Sequence, residues 1–128
     1  MSDPAQALSR VLGSGSAHEG AHHWRVQRLT ALALVLLVPW LLVSLARLPD
    51  FSFSSVQGFV AGLGHAVLLV LLVIAAAWHS QLGVQVVIED YFGGAVRRTL
   101  LVISAFLHVL LGAVGVLAVM RVAFTAQL

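Results

Sequence analysis

The sequence contains no cysteine and no lysine, and little charge of either sign. Without cysteine there can be no disulfide, no chain-borne iron–sulfur cluster, no thiolate zinc site and no thioether-attached haem. Charged residues make up 9% of the 128 residues and apolar residues 60%. An ordinary soluble domain carries about 25% charge, so a soluble globular fold is excluded. A soluble chain this short has too little interior to hide so much apolar surface. The seven basic residues are all arginines and leave a net charge of +2. They flank apolar runs and form no basic patch, which argues against a nucleic-acid partner. One small membrane domain is the class that remains.

Charge-free gaps locate the spans. Leu29 to Ala46 is 18 residues, Phe51 to Ile88 is 38 and Thr99 to Met120 is 22. A span needs about 20 apolar residues to cross a hydrocarbon core of roughly 30 Å. The pattern predicts an all-α membrane protein with three transmembrane helices, near 27–47, 57–88 and 98–122. The second gap exceeds one span. Its opening, Phe51-Ser-Phe-Ser-Ser-Val-Gln-Gly58, mixes aromatic and small polar residues. That suits an interfacial segment or a helix start with Ser54 or Ser55 as N-cap, followed by a long helix that tilts or projects. Pro39 lies inside the first helix and is expected to kink it.

Arginines near the helix ends set the orientation. Arg10, Arg25, Arg28, Arg97 and Arg98 lie on one side, and Arg47 and Arg121 on the other. The positive-inside rule places the N-terminus and the 89–98 loop in the cytoplasm, and the 47–56 loop and the C-terminus outside. Residues 1–23 read as a polar cytoplasmic tail ahead of a 24–128 membrane anchor domain. The tail has no apolar core, so it is not a cleavable signal peptide. Its Gly13-Ser-Gly15 lacks the strand before and the Gly-Lys-Ser/Thr after that a phosphate loop requires, and reads as a flexible linker.

Ionisable groups within spans are costly and are functional candidates. His65, His79 and His108 qualify. His79 precedes Tyr91 by 12 residues, a depth of about 18 Å along a helix, near the bilayer middle. His65 lies 14 residues earlier, about 21 Å further, near the outer interface. His108 is ten residues past Arg98, about 15 Å deep. Gly83, one turn from His79, lets a flat macrocycle or a second helix approach. This favours haem ligation for His79 over an interhelical hydrogen bond. The 65/79 spacing is that of a two-haem bundle, but no second helix here carries a matching pair. Packing roles are expected for His65 and His108, and close helix contact for Gly112 and Gly115.

The loop Glu89-Asp-Tyr-Phe-Gly-Gly-Ala-Val-Arg-Arg98 places two acids and a phenol at a helix end. A phenol there can donate to a carbonyl at headgroup depth, and a carboxylate beside it can exchange protons with water. The plainer alternative is an interfacial anchor with solvated acids. At the first helix entry, Trp24 suits the interface. Arg25 and Arg28 either snorkel to headgroups or, for Arg28, neutralise a buried anion such as a haem propionate.

The segment His79-Ser-Gln-Leu-Gly83-Val-Gln-Val-Val-Ile-Glu-Asp90-Tyr91 resembles the H-x3-G-x6-D-Y signature of the succinate dehydrogenase hydrophobic membrane anchor, the D subunit of complex II. The stretch Leu12-Gly-Ser-Gly-Ser-Ala-His-Glu-Gly-Ala-His-His-Trp-Arg-Val-Gln-Arg28-Leu-Thr-Ala31 resembles that family's entry into its first helix. The resemblance covers nearly the whole chain. It implies that His79 is an axial ligand of haem b, shared with a histidine of the cytochrome b (C) subunit, and that Arg28 approaches a haem propionate with His22 nearby. It implies that Tyr91 hydrogen-bonds a ubiquinone carbonyl beside Asp90. It also implies iron–sulfur and flavoprotein partners and a bacterial inner membrane location. This subunit would belong to an enzyme without being catalytic alone. Glu89, His65 and His108 depart from the family pattern. Three other readings share some features: a fumarate reductase anchor, a cofactor-free structural membrane protein, and a self-contained b-type cytochrome ligated by His79 and His108.

Overall fold

A computed structural model describes the backbone of residues 16–125 and the side chains of 20–125. Arg10 and the expected linker at 13–15 lie outside the described residues. Among the described residues four helices follow in order: α1 Ser16–Ala46, α2 Phe53–Ala61, α3 Leu63–Tyr91 and α4 Gly94–Thr125. The described residues contain no strand. Three segments are long and apolar enough to span a membrane: Gly20–Ala46, Leu63–Tyr91 and Gly94–Thr125. This is the three-span, all-helical architecture expected from the charge-free gaps.

The helix ends depart from the gap boundaries for local reasons. α1 is helical from Ser16, the first described residue, so it extends into the polar stretch, where Ala17, Glu19, Ala21 and Arg25 are all compatible with a helix continuing beyond the lipid. It runs through Pro39 without interruption. The long second gap does not form one helix. It divides at Gly62, whose extended backbone (φ −62°, ψ 121°) ends α2 and starts α3. The excess length is therefore taken up by a short separate helix.

The N-cap of α2 is Ser52, not Ser54 or Ser55. Asp50 selects it: one carboxylate oxygen accepts from the Ser52 amide at 3.0 Å and hydroxyl at 2.6 Å, and from the Ser55 hydroxyl. These bonds, the Ser52 hydroxyl foremost, hold the Asp50 carboxyl below the ordinary carboxylate range.

α3 is the central helix. It packs against α4 along most of its length and against α1 on another face, while α1 and α4 do not meet. α2 folds back onto α3 and α4. The interior is thin and mixes alanines with a few larger apolar groups: Phe59, Ala66, Ala75, Leu82, Ile88 and Ala123. Large apolar side chains cover the outside of α1 and α4, among them Leu36, Val102 and Leu117. Helices in lipid associate through close packing, since apolar surface gains nothing by leaving a hydrocarbon solvent. Gly112 and Gly115 show this. A Cβ on Gly112 would stand 3.4 Å from Ala77 Cβ, and one on Gly115 only 2.8 Å from Val73 Cγ1.

Gly115→Ala is therefore expected to weaken the α3–α4 contact by about 1–3 kcal/mol, the usual cost of overpacking. The readout is a lower thermal midpoint in detergent, restored by adding Val73→Ala. An unchanged midpoint in the single variant would contradict the close approach.

Candidate functional site

His79 lies on α3 where that helix meets α1. Its Nδ1 is 3.1 Å from the Thr30 hydroxyl. Thr30 is buried, at 8% exposure, and its oxygen also lies 2.9 Å from Val26 O and 3.1 Å from Gln27 O of its own helix. Nε2 of His79 has no partner among the described residues. Gly83 is one turn along on the same face, and nothing lies within 4 Å of where its Cβ would be. An uncommitted imidazole nitrogen beside an open notch fits a flat ligand bound through a metal.

His23, Gln27 and Thr30 follow one another at helical spacing, so they share a face of α1. His23 Nε2 and Gln27 Oε1 are buried without hydrogen-bond partners. Arg28 turns away from this stripe and lies over the Trp24 ring, its guanidinium 4.8 Å from the ring centroid. It is exposed and stands two residues from Thr30, about 3 Å along the helix axis. His22 is also exposed, whereas its neighbour His23 faces inward.

The other two histidines are committed elsewhere. His65 Nδ1 is 2.9 Å from Phe59 O, where it donates to a carbonyl left over at the end of α2. Its ring clusters with Phe59 and Trp40, with centroids 4.4 and 6.0 Å away, and those two rings are 6.2 Å from each other. His108 uses both nitrogens: Nε2 meets the Ser80 hydroxyl at 3.1 Å and Nδ1 meets Ser104 O at 2.8 Å. His79 looks toward α1, and His108 ties α4 to α3. A cavity of about 800 Å³ between α3 and α4 includes Trp78, Gln81 and His108 in its wall. His79 is not among its lining residues, so this cavity is separate from the notch at Gly83.

Asp90 and Tyr91 are the last residues of α3, both exposed, Tyr91 at 81%. The chain then turns at Gly94, whose φ of +59° favours glycine, and enters α4. Glu89 is occupied: it accepts from Gln85 Nε2 at 3.0 Å and lies 3.7 Å from Arg97. Gln81 donates in turn to Gln85 at 3.4 Å. Asp90 has no such partner among the described residues, so it is the carboxylate left available beside the phenol. α3 is unbroken from His79 to Tyr91, which separates the imidazole from the phenol by about 18 Å along the axis.

The matched family model is described as the succinate dehydrogenase/fumarate reductase transmembrane subunit, and it spans residues 2–121. The chain belongs to this family. Three bacterial relatives are each named succinate dehydrogenase hydrophobic membrane anchor subunit. The one from Rickettsia bellii is 34% identical over 104 residues, covering 81% of this chain and 83% of its own length. That from Paracoccus denitrificans is 31% identical over 115 residues, or 89% and 88%. That from Rickettsia conorii is 34% identical over 98 residues, or 75% and 78%. With three apolar spans, this member of the succinate dehydrogenase family is a multi-pass membrane protein with an anchor role.

Thr30, His23 and Gln27 are the site residues that sequence reasoning passed over. Their signal is present as polar groups recurring on one face of an otherwise apolar helix. The Gln81–Gln85–Glu89 ladder on α3 carries the same signal.

Proposed function

We propose that this chain anchors the catalytic subunits of a bacterial succinate:ubiquinone oxidoreductase in the inner membrane, binds haem b through His79, and forms part of the ubiquinone-reduction site at Tyr91. The observation that carries this reading is the arrangement of α3. One continuous helix presents an imidazole with an uncommitted nitrogen beside an open glycine notch, and ends in an unpaired carboxylate and an exposed phenol.

The two sites have different chemical needs, and their depths match them. Ubiquinone reduction takes two electrons and two protons, so its site belongs at an interface that water reaches. Tyr91 donates its phenolic hydrogen to a quinone carbonyl, and Asp90 exchanges protons with the aqueous phase. Haem b, when bound, supplies one-electron redox capacity inside the low-dielectric membrane. His79 Nε2 would be the donor to its iron from this chain, and a histidine of the second membrane subunit would supply the other. Two histidine donors would suit such a group to electron transfer. Arg28, close to the level of Thr30, would pair with a propionate, and His22 stands six residues nearer the tail. Releasing Arg28 from the Trp24 ring exchanges a cation–π contact of about 0.5–1 kcal/mol for a charge-assisted pair. The arginine distribution supports a cytoplasmic location for the Tyr91 end, where succinate-oxidising subunits would reside. The chain has no cysteine for a cluster, so electrons come from the iron–sulfur subunit and, before it, the flavoprotein.

Purification through a tag on this chain tests the reading. A flavoprotein, an iron–sulfur protein and a second small membrane protein should co-purify in equal amounts, with succinate-dependent quinone reduction. Recovery of this chain without those partners would overturn it.

A further inference from the structure

Thr30 is placed to control which nitrogen of His79 is available, an inference that rests on the ligand role proposed for His79. A neutral imidazole carries its hydrogen on Nδ1 or on Nε2, and only the nitrogen without hydrogen can bind a metal. The group facing Nδ1 therefore decides whether Nε2 is a ligand. Here that group is the Thr30 hydroxyl, 3.1 Å away and buried.

A hydroxyl has one hydrogen to give. Two backbone carbonyls of α1 compete for it, Val26 O at 2.9 Å and Gln27 O at 3.1 Å. Donation back to the carbonyl four residues earlier is the usual state of a threonine inside a helix. With the hydrogen so placed, the oxygen offers only lone pairs toward α3. Its partner must then be an Nδ1–H, which leaves the lone pair on Nε2. Thr30 is buried and its contact with His79 part-buried between α1 and α3, which limits competition from water.

We propose that Thr30 is a positioning residue for the metal-ligating histidine: its hydroxyl, turned back onto its own helix, accepts from His79 Nδ1 and so fixes the ring orientation and the tautomer with Nε2 as ligand. An Nδ1–H donated to an oxygen also makes the imidazole a stronger base, which favours ferric over ferrous iron.

The test uses the assembled complex with Thr30→Val, Thr30→Ser and His79→Ala. Valine keeps the shape and removes the hydroxyl; serine keeps the hydroxyl and removes the methyl. Haem content per flavin and the haem midpoint potential are measured, with subunit co-purification as the check on assembly. Thr30→Val should weaken haem binding by about tenfold or more, the usual scale for losing such a partner, read as lower haem content per flavin, or move the midpoint to more positive values where haem is retained. Thr30→Ser should restore both. Wild-type haem content and midpoint in Thr30→Val would overturn the Thr30 role while leaving His79 as ligand. Equal impairment in the serine and valine variants would also overturn it, because the methyl and not the hydroxyl would then matter. Haem that survives His79→Ala overturns the ligand reading itself, and with it the role of Thr30.

Discussion

Replacing His79 with alanine is expected to remove the haem signal from the purified complex while the flavoprotein and iron–sulfur subunits stay attached. The iron donor from this chain would be lost, and the other two in-span histidines are committed elsewhere. His65 is engaged by Phe59 O, and both nitrogens of His108 are engaged by Ser80 and Ser104. The same geometry sets the controls. His65→Leu and His108→Leu should lower thermal stability, because each leaves a hydrogen-bond partner unpaired at about 1–3 kcal/mol, yet keep the haem spectrum. A spectrum lost in His108→Leu and retained in His79→Ala would invert the assignment and favour His108 as the ligand.

The second large effect is expected at Tyr91. Tyr91→Phe removes one hydroxyl from an exposed side chain, so folding should be unaffected. A hydrogen bond to an oxygen that gains charge during reduction is worth about 1.5–3 kcal/mol, which corresponds to a loss of roughly ten- to a hundredfold in quinone reduction. Succinate oxidation coupled to a soluble dye should be unchanged, because the dye takes electrons before the membrane is reached. Equal activity with quinone in both proteins would remove Tyr91 from the site. Equal loss with dye and quinone would point to damage upstream.

The three spans were legible because in lipid the cost of a charge is large enough for charge-free length alone to mark them. Which residues face one another was less legible. Nothing in the sequence pattern around Gly62 distinguishes a bend from a break, and the His65 ring that folds back across it to Phe59 O is a contact only the fold reveals. Ser52 becomes the cap because Asp50 grips it from two residues away, an effect that cap preference at Ser54 or Ser55 does not capture. His79 stood out as an ionisable group at mid-span. Thr30 did not, since a lone threonine in a helix is unremarkable until its partner on α3 is known. The inward and outward faces of the His22–His23 pair likewise depend on the rotation of α1 against α3. The pairing of Glu89 with Gln85 and Arg97 is also a matter of packing, and it singles out Asp90 as the available acid.

The most direct measurement is the optical and electron paramagnetic resonance spectrum of the oxidised and reduced wild-type complex, purified through this chain. Ligation by His79 and a second imidazole predicts a low-spin ferric haem with a b-type spectrum when reduced. A high-spin ferric haem, or a complex with all its partners and no haem, would contradict it.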